Sequence, residues 1–294
     1  MLNSSLRDAF VSRTAFFRGC FLSRLGLGAL VGAIAAGSTA QAATDPYDGN
    51  WHFDLTPYLW LPWTDGTVGF DRPPGTGGNP RFSFSISPVD LLRKLDFGIM
   101  GAGEVRKGNW SIFTDFIYIK VSGEKAIVKT ITGPGGIFEF PVDAGSQFGL
   151  KAYIWTLAPS YTVYHSSAAS LDLFAGFRDA QFKPSLEWRF AGPLNLFPQT
   201  GAVANTIAIW DALMGAKGRV ALSENGTWFA PYYADVGIGS SAFTWQGVVG
   251  VGYAFSWGDL HLDYRALYYS PENSNAKLKH LLQQGPVLAA TFHL

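Results

Sequence analysis

The chain has 294 residues, of which 48% are hydrophobic, 15% aromatic and only 15% charged, with 22 basic residues against 22 acidic. Ordinary soluble domains carry about 25% charged residues, so charge is scarce here, while Phe (23), Tyr (12) and Trp (10) are abundant. The even balance excludes the basic excess of a nucleic-acid binder, and the apolar content excludes a disordered chain.

Residues 1–42 read as a cleaved signal peptide. Arg7, Arg13, Arg18 and Arg24 precede an apolar run from Leu25 to Ala36, and Ala40-Gln41-Ala42 has the small-x-small pattern of a signal-peptidase site. The run is too short and too rich in glycine to anchor in a membrane, and no later stretch approaches the roughly 20 apolar residues of a spanning helix. Twin arginines are absent from this leader, which points to ordinary unfolded secretion. Removing the leader takes away four Arg and one Asp, leaving 18 basic against 21 acidic residues in 43–294. The single cysteine, Cys20, goes with it, so thiol catalysis and cysteine metal sites are excluded from the mature chain.

Residues 43–294 read as one β domain. Period-two alternation appears, in chain order, near 51–63, 95–106, 110–122, 150–164, 171–180, 206–222, 227–238, 243–255, 260–269 and 284–294. The pattern predicts about ten strands, with eight to twelve compatible. In 243–255 the outward set is Phe243, Trp245, Gly247, Val249, Val251, Tyr253 and Phe255, and Trp257-Gly258 forms a tight turn to the next strand. Even-to-odd links are short, at 107–109, 165–169, 223–226 and 257–258. The odd-to-even links at 64–94, 123–149, 181–205 and 271–283 are long, and only that near 239–242 is short. Within the first long link, Phe82 to Ile86 reads as strand and Pro88 to Leu95 as a short helix capped by Ser87. That helix either constricts the barrel mouth or bridges to the next strand. Pro73 to Pro80 reads as a surface tip, and Gly133-Pro134-Gly135-Gly136 as a turn.

Short turns at one end and long loops at the other are the pattern of an outer-membrane barrel; a soluble sandwich has no cause to sort its loops so. Segments of 12 or more residues exceed the usual 5–6 of soluble strands. Trp51, Trp63, Trp110, Tyr118, Trp228, Tyr253 and Phe255 lie near strand ends, where amphipathic rings suit the membrane–water boundary. The fold class predicted is all-β, a single antiparallel transmembrane barrel.

Several segments resemble a family of small, largely uncharacterised proteobacterial outer-membrane barrels, loosely akin to OmpA- and OmpW-like barrels. They are Pro57-Tyr58-Leu59-Trp60 with Asp65 to Gly69, Leu95 to Met100, Trp110 to Lys120, Leu171 to Arg178, Pro231 to Gly237 through Asp263-Tyr264-Arg265, and Gly285 to Leu288. The resemblance covers most of the mature chain. It implies the fold, a place in the outer membrane of a Gram-negative bacterium and delivery by the outer-membrane assembly machinery, and it implies no activity. Leu294 stands where an aromatic, usually Phe, closes the chain in that family.

With the apolar face toward lipid, the inward set is Asp54, Asp96, Glu104, Arg106, Asp115, Asp172, Arg178, Asp211, Lys217, Arg219, Asp235, His261, Asp263 and Arg265. Unpaired charges are costly in a low-dielectric interior, so opposite charges should pair into a plug, giving a structural or interaction role. The alternative is a charge-lined, low-conductance pore for small solutes. An outer-membrane hydrolase is a weaker third reading. His261 and Asp263 share a face, but there is no GxSxG elbow and the other histidines lack metal-ligand spacing. No cofactor, metal or nucleic-acid partner is expected.

Overall fold

The period-two segments form strands because successive side chains of an extended chain face opposite sides, so one face can meet lipid while the other lines an interior. The computed structural model describes residues 45–69, 81–124, 128–132, 139–140, 147–189, 200–271 and 278–294. The predicted leader and the segments Pro73 to Pro80 and Gly133 to Gly136 lie outside the described residues.

Ten strands close into an antiparallel barrel: β1 (Trp51–Trp60), β4 (Leu95–Lys107), β5 (Trp110–Glu124), β8 (Gln147–His165), β9 (Ala169–Arg189), β11 (Ile207–Ala221), β12 (Trp228–Gly239), β13 (Ser241–Phe255), β14 (Gly258–Pro271) and β15 (Leu278–His293). Each predicted strand matches one of these. Closure is made by β1 against β15, from Asp54 beside His293 to Trp60 beside Val287, with Leu294 N donating to Phe53 O at 2.8 Å.

The long links hold more structure than loops. β2 (Trp63–Gly69) continues β1 past Leu61-Pro62 and stays paired with β15. β3 (Arg81–Ile86), β6 (Val128–Thr132) and β7 (Glu139–Phe140) extend that pairing beyond the barrel, and β10 (Thr200–Ala204) folds back on β9. β8 and β9 are accordingly longer than the predicted 150–164 and 171–180, because their loop-end halves continue as a hairpin arm. Helix α1 (Pro88–Lys94) has Pro at its start and Ser87 as cap, accepting from Asp90 N. It leads directly into β4, and its Leu91 is buried in the same apolar cluster as barrel residues.

Followed across the hydrogen bonds, Asp54 leads through Glu104, Phe113, Ala158, Gly176, Leu213, Gly237, Thr244, Tyr269 and Leu281 to Gly66 on β2. The register therefore advances from 54 to 66, a shear of 12. Ten strands with that shear tilt by about 40° and enclose a radius of about 10 Å, room for interdigitated side chains and little else.

Alternation sorts the faces. Trp51, Phe53, Leu55, Ile99, Trp110, Ile112, Met214, Ile238, Val249 and Leu262 are exposed on the outside. Ring pairs such as Trp110–Tyr161 (centroids 4.9 Å), Trp228–Tyr253 (5.1 Å) and Phe255–Trp257 (5.6 Å) mark the short-turn end. Trp155–Phe177 (5.3 Å) and Phe97–Tyr118 (6.0 Å) stand toward the loop end. The turn between β4 and β5 needs Gly108 at φ +56°, a left-handed conformation that side chains disfavour.

The fit inside is close. A Cβ on inward Gly252 would meet Phe229 ring atoms at 2.3–2.8 Å, and the Arg219 guanidinium lies over that ring at 4.0 Å. Gly252→Val is expected to lower the urea midpoint of the detergent-refolded protein, by about 1–3 kcal/mol of overpacking. An unchanged midpoint would mean that the ring has free lumen to swing into.

Candidate functional site

The register puts Asp54, Glu104, Arg106, Asp115, Asp172, Arg178, Asp211, Lys217, Arg219, Asp235, His261, Asp263 and Arg265 on the inner face of the sheet, and Asp96 is not among them. The pairing of β4 with β5 slips between Leu95 and Phe97, so Asp96 is the extra residue of an irregularity. It is exposed and turned toward outward-facing partners, accepting from Ser122 Oγ at 2.8 Å and lying 3.5 Å from Lys120 Nζ.

At the short-turn end, four strands contribute to one ionic network. Arg106 on β4 bonds Glu104 at 2.7 Å, Thr162 of β8 at 2.6 Å, and Asp172 of β9. Thr162 donates to Asp172 at 2.6 Å, and Lys217 of β11 reaches Glu104 at 2.5 Å and Asp172 at 3.4 Å. Two cations meet two carboxylates, which satisfies the demand that buried charges be matched. The segment ahead of β1 covers this network: Arg106 lies 5.1 Å over the Tyr47 ring, which stacks on His165 at 4.2 Å. Nearby, the carboxyl of Asp48 is held down to about 2 by a hydrogen bond from His52, aided by the backbone and side chain of Asn50.

Beside the network, Arg219 faces Asp259 at 3.2 Å, and His293 bridges Asp54 (2.7 Å) and Asp259 (3.4 Å). His261 Nδ1 sits 2.7 Å from Asp263, while its Nε2 is 3.5 Å from the Thr291 hydroxyl. That hydroxyl also lies 2.9 Å from Thr56 Oγ1, so the threonine has a structural partner.

Halfway along, two arginines tie non-neighbouring strands, Arg178 of β9 to β12 and Arg265 of β14 to β5 on the far wall. Arg178 and Asp235 are both fully buried and bonded, with Thr156 accepting from Nε at 3.2 Å and Tyr233 donating to the carboxylate at 2.6 Å. Arg265 reaches Asp115 at 2.7 Å, Tyr58 at 3.1 Å and Gln246 at 2.8 Å, and Tyr58 itself donates to Asp115. Trp60 lies under the guanidinium at 4.8 Å.

Toward the loop end the interior turns apolar. Ile117, Ile119 and Val121 of β5, Ala152 and Ile154 of β8, and Phe182, Ile209 and Leu267 pack into one buried cluster with Trp60 and Leu91. A polar plug throughout is not what the interior holds: on these upper strand halves the inward face is apolar, while the outward face carries Lys120, Lys151 and Gln181. Asp211 lies fully buried near this level. Its Oδ1 accepts from Ser241 N at 2.8 Å, while its Oδ2 and the Tyr269 hydroxyl have no hydrogen-bond partner among the described residues.

Several lumen residues escaped the sequence reading. Asp259 shares the parity of His261, Asp263 and Arg265 and was within reach of that signal, but it follows the turn and reads as part of it. Tyr58, Thr156, Thr162, Tyr233 and Gln246 are neutral, and a search for charges passes over neutral partners.

The two fully buried carboxylates should respond oppositely to neutralisation. Asp235→Asn leaves Arg178 without a counter-charge and is expected to cost about 3–5 kcal/mol in a urea titration of the refolded protein. Asp211→Asn keeps the acceptor for Ser241 and removes a charge that forms no ion pair among the described residues, although Arg178 is its cross-strand neighbour, so its midpoint is expected to stay level or rise. Equal losses in both would show that Asp211 has a cationic partner.

No protein-family model matches the sequence, and no curated protein matches it. Among solved structures, the outer-membrane protease OmpT from Escherichia coli is 10% identical, with 87% of this chain and 99% of that chain covered and a TM-score of 0.42. The translocator domain of the autotransporter NalP from Neisseria meningitidis is 12% identical over 84% of this chain and 90% of that one, with a TM-score of 0.34. OpdK of Pseudomonas aeruginosa, solved with vanillate, is 10% identical over 83% and 98%, with a TM-score of 0.24. The barrel assignment for this chain rests on its own strand register.

Proposed function

We propose that the mature chain is an integral protein of a Gram-negative outer membrane whose lumen is closed, and that it acts through its fold and its outer surfaces. The observation that carries this reading is the pairing of the inward arginines. Arg106, Arg178, Arg219 and Arg265 each meet a carboxylate on a non-neighbouring strand: Asp172, Asp235, Asp259 and Asp115. Charges lining a conducting path must remain available to the passing solute; charges spent on one another fill the space instead. The apolar layer above them adds a second barrier, since an ion entering it would lose its hydration with nothing in exchange.

The membrane location draws support from the exterior. Exposed Trp, Phe, Ile, Leu and Val side chains ring the barrel on every side, and the aromatic rings gather toward its two ends. Water would penalise such a surface, whereas hydrocarbon accepts it. On this reading the short turns face the periplasm and the long hairpins face outside the cell, the usual arrangement of outer-membrane barrels. The reading assigns no catalytic step and no cofactor. Lipid and the assembly machinery are its partners.

Single-channel recording in a planar bilayer tests the closed lumen, after a heat-dependent gel shift has verified folding. Folded protein that inserts without discrete current steps is the expected result. Reproducible steps of one size would overturn the closed lumen in favour of a narrow pore for small solutes.

A further inference from the structure

Three lysines face outward in one hydrogen-bonded row. Lys120 on β5 is the direct neighbour of Lys151 on β8, and Lys151 of Lys183 on β9. All three side chains are exposed, and they belong to the outward parity of Phe116 and Tyr118, Tyr153 and Trp155, and Gln181. Neighbouring strands lie about 4.8 Å apart, so the row spans about 10 Å. Like charges placed directly opposite one another destabilise a sheet. Lys120 is partly offset by Asp96 at 3.5 Å, while Lys151 and Lys183 form no ion pair among the described residues. Of the carboxylates four residues from Lys183 on the same face of β9, Asp179 accepts from Tyr153 Oη at 2.9 Å and Glu187 stands on the loop side, beside Gln147 of β8.

The height of the row is informative. Below it in register come Tyr118, Tyr153 and Gln181, then Phe116, Trp155 and Asp179. The lower aromatic boundary on β8 is Tyr161, packed on Trp110 at 4.9 Å. From Tyr161 to Lys151 the strand climbs about 25 Å along the barrel axis, given about 3.3 Å per residue and a tilt near 40°. A barrel's apolar band is about 25 Å tall. The ammonium groups thus emerge where hydrocarbon ends and headgroups begin, on the loop side, with tyrosines at the boundary beneath them.

We infer that Lys120, Lys151 and Lys183 form a binding site on the outside of the barrel for the phosphate groups of an outer-leaflet glycolipid. The site rests on the outer-membrane reading given above. Its anion supplies the counter-charge that the row lacks, and the aromatic residues below receive the acyl chains. Basic residues near an anionic membrane surface contribute about 1 kcal/mol each, so every lysine removed should weaken binding about fivefold, and all three by about a hundredfold.

The probe is lipid A, a glycolipid carrying two phosphates, added to the protein refolded in neutral detergent and measured by native mass spectrometry and by the shift in thermal midpoint. Wild type is expected to retain lipid A against phosphatidylcholine, and the variant K120Q/K151Q/K183Q to lose it. Lys107→Gln, an exterior lysine at the opposite end, should bind as wild type does. Should the triple variant fail to fold, Lys151→Gln alone removes the centre of the row and should bind about fivefold less well. Equal retention by the triple variant, equal retention of dephosphorylated lipid A, or displacement by inorganic phosphate at matched concentration would each overturn the site. Tryptophan quenching by brominated lipids in vesicles separates the two readings. A barrel that inserts but ignores the phosphates retains its membrane location and loses this site; one that does not insert loses both.

Discussion

Closure is the constraint on which the rest depends. Inside a bilayer, an unpaired backbone edge has no water to turn to, so the sheet must meet itself. Here the meeting of β1 with β15 fixes the shear at 12, and the shear fixes the tilt, the radius and the face each side chain takes. A radius of about 10 Å leaves no room for a wide aqueous channel. Whatever charges parity sends inward must find partners among themselves.

The interior solves this in two ways along its axis. Near the short turns and at mid-height, cations and carboxylates from non-neighbouring strands meet, with threonine, tyrosine and glutamine filling the remaining hydrogen-bond valences. Toward the loops the walls are aliphatic and aromatic, and the buried Leu91 of α1 joins them. A mispaired register would leave the charges of the first arrangement stranded. The second contributes burial in the ordinary way.

Much of this could be read from the residues. Ten alternating segments separated by short and long links gave strand number and topology, since a period of two has no other common cause. The inward charges followed from the same parity wherever pairing was regular. Parity failed at Asp96, because a single extra residue in a strand turns one side chain to the other face and leaves no mark in the composition. On β5 from Ile117 to Ser122 alternation persists with its polarity reversed, Ile117, Ile119 and Val121 facing in and Tyr118, Lys120 and Ser122 facing out, so a rule that sends every apolar side chain to lipid does not hold there. The strands β3, β6 and β10 lay inside segments read largely as loops, although Phe82 to Ile86 was recognisable. Which carboxylate meets which arginine depends on the circumference of the sheet, and only the shear supplies that.

The partners of the interior ions are far apart in the chain: Tyr58 meets Arg265 across 207 positions, Glu104 meets Lys217 across 113, and Asp54 meets His293 across 239. A sheet that had entered the bilayer before its first and last strands met would carry these ions uncompensated into hydrocarbon. The half-built molecule is therefore an electrostatic misfit in the very medium that suits the finished one. Closure of the sheet is what lets these ions leave water already paired.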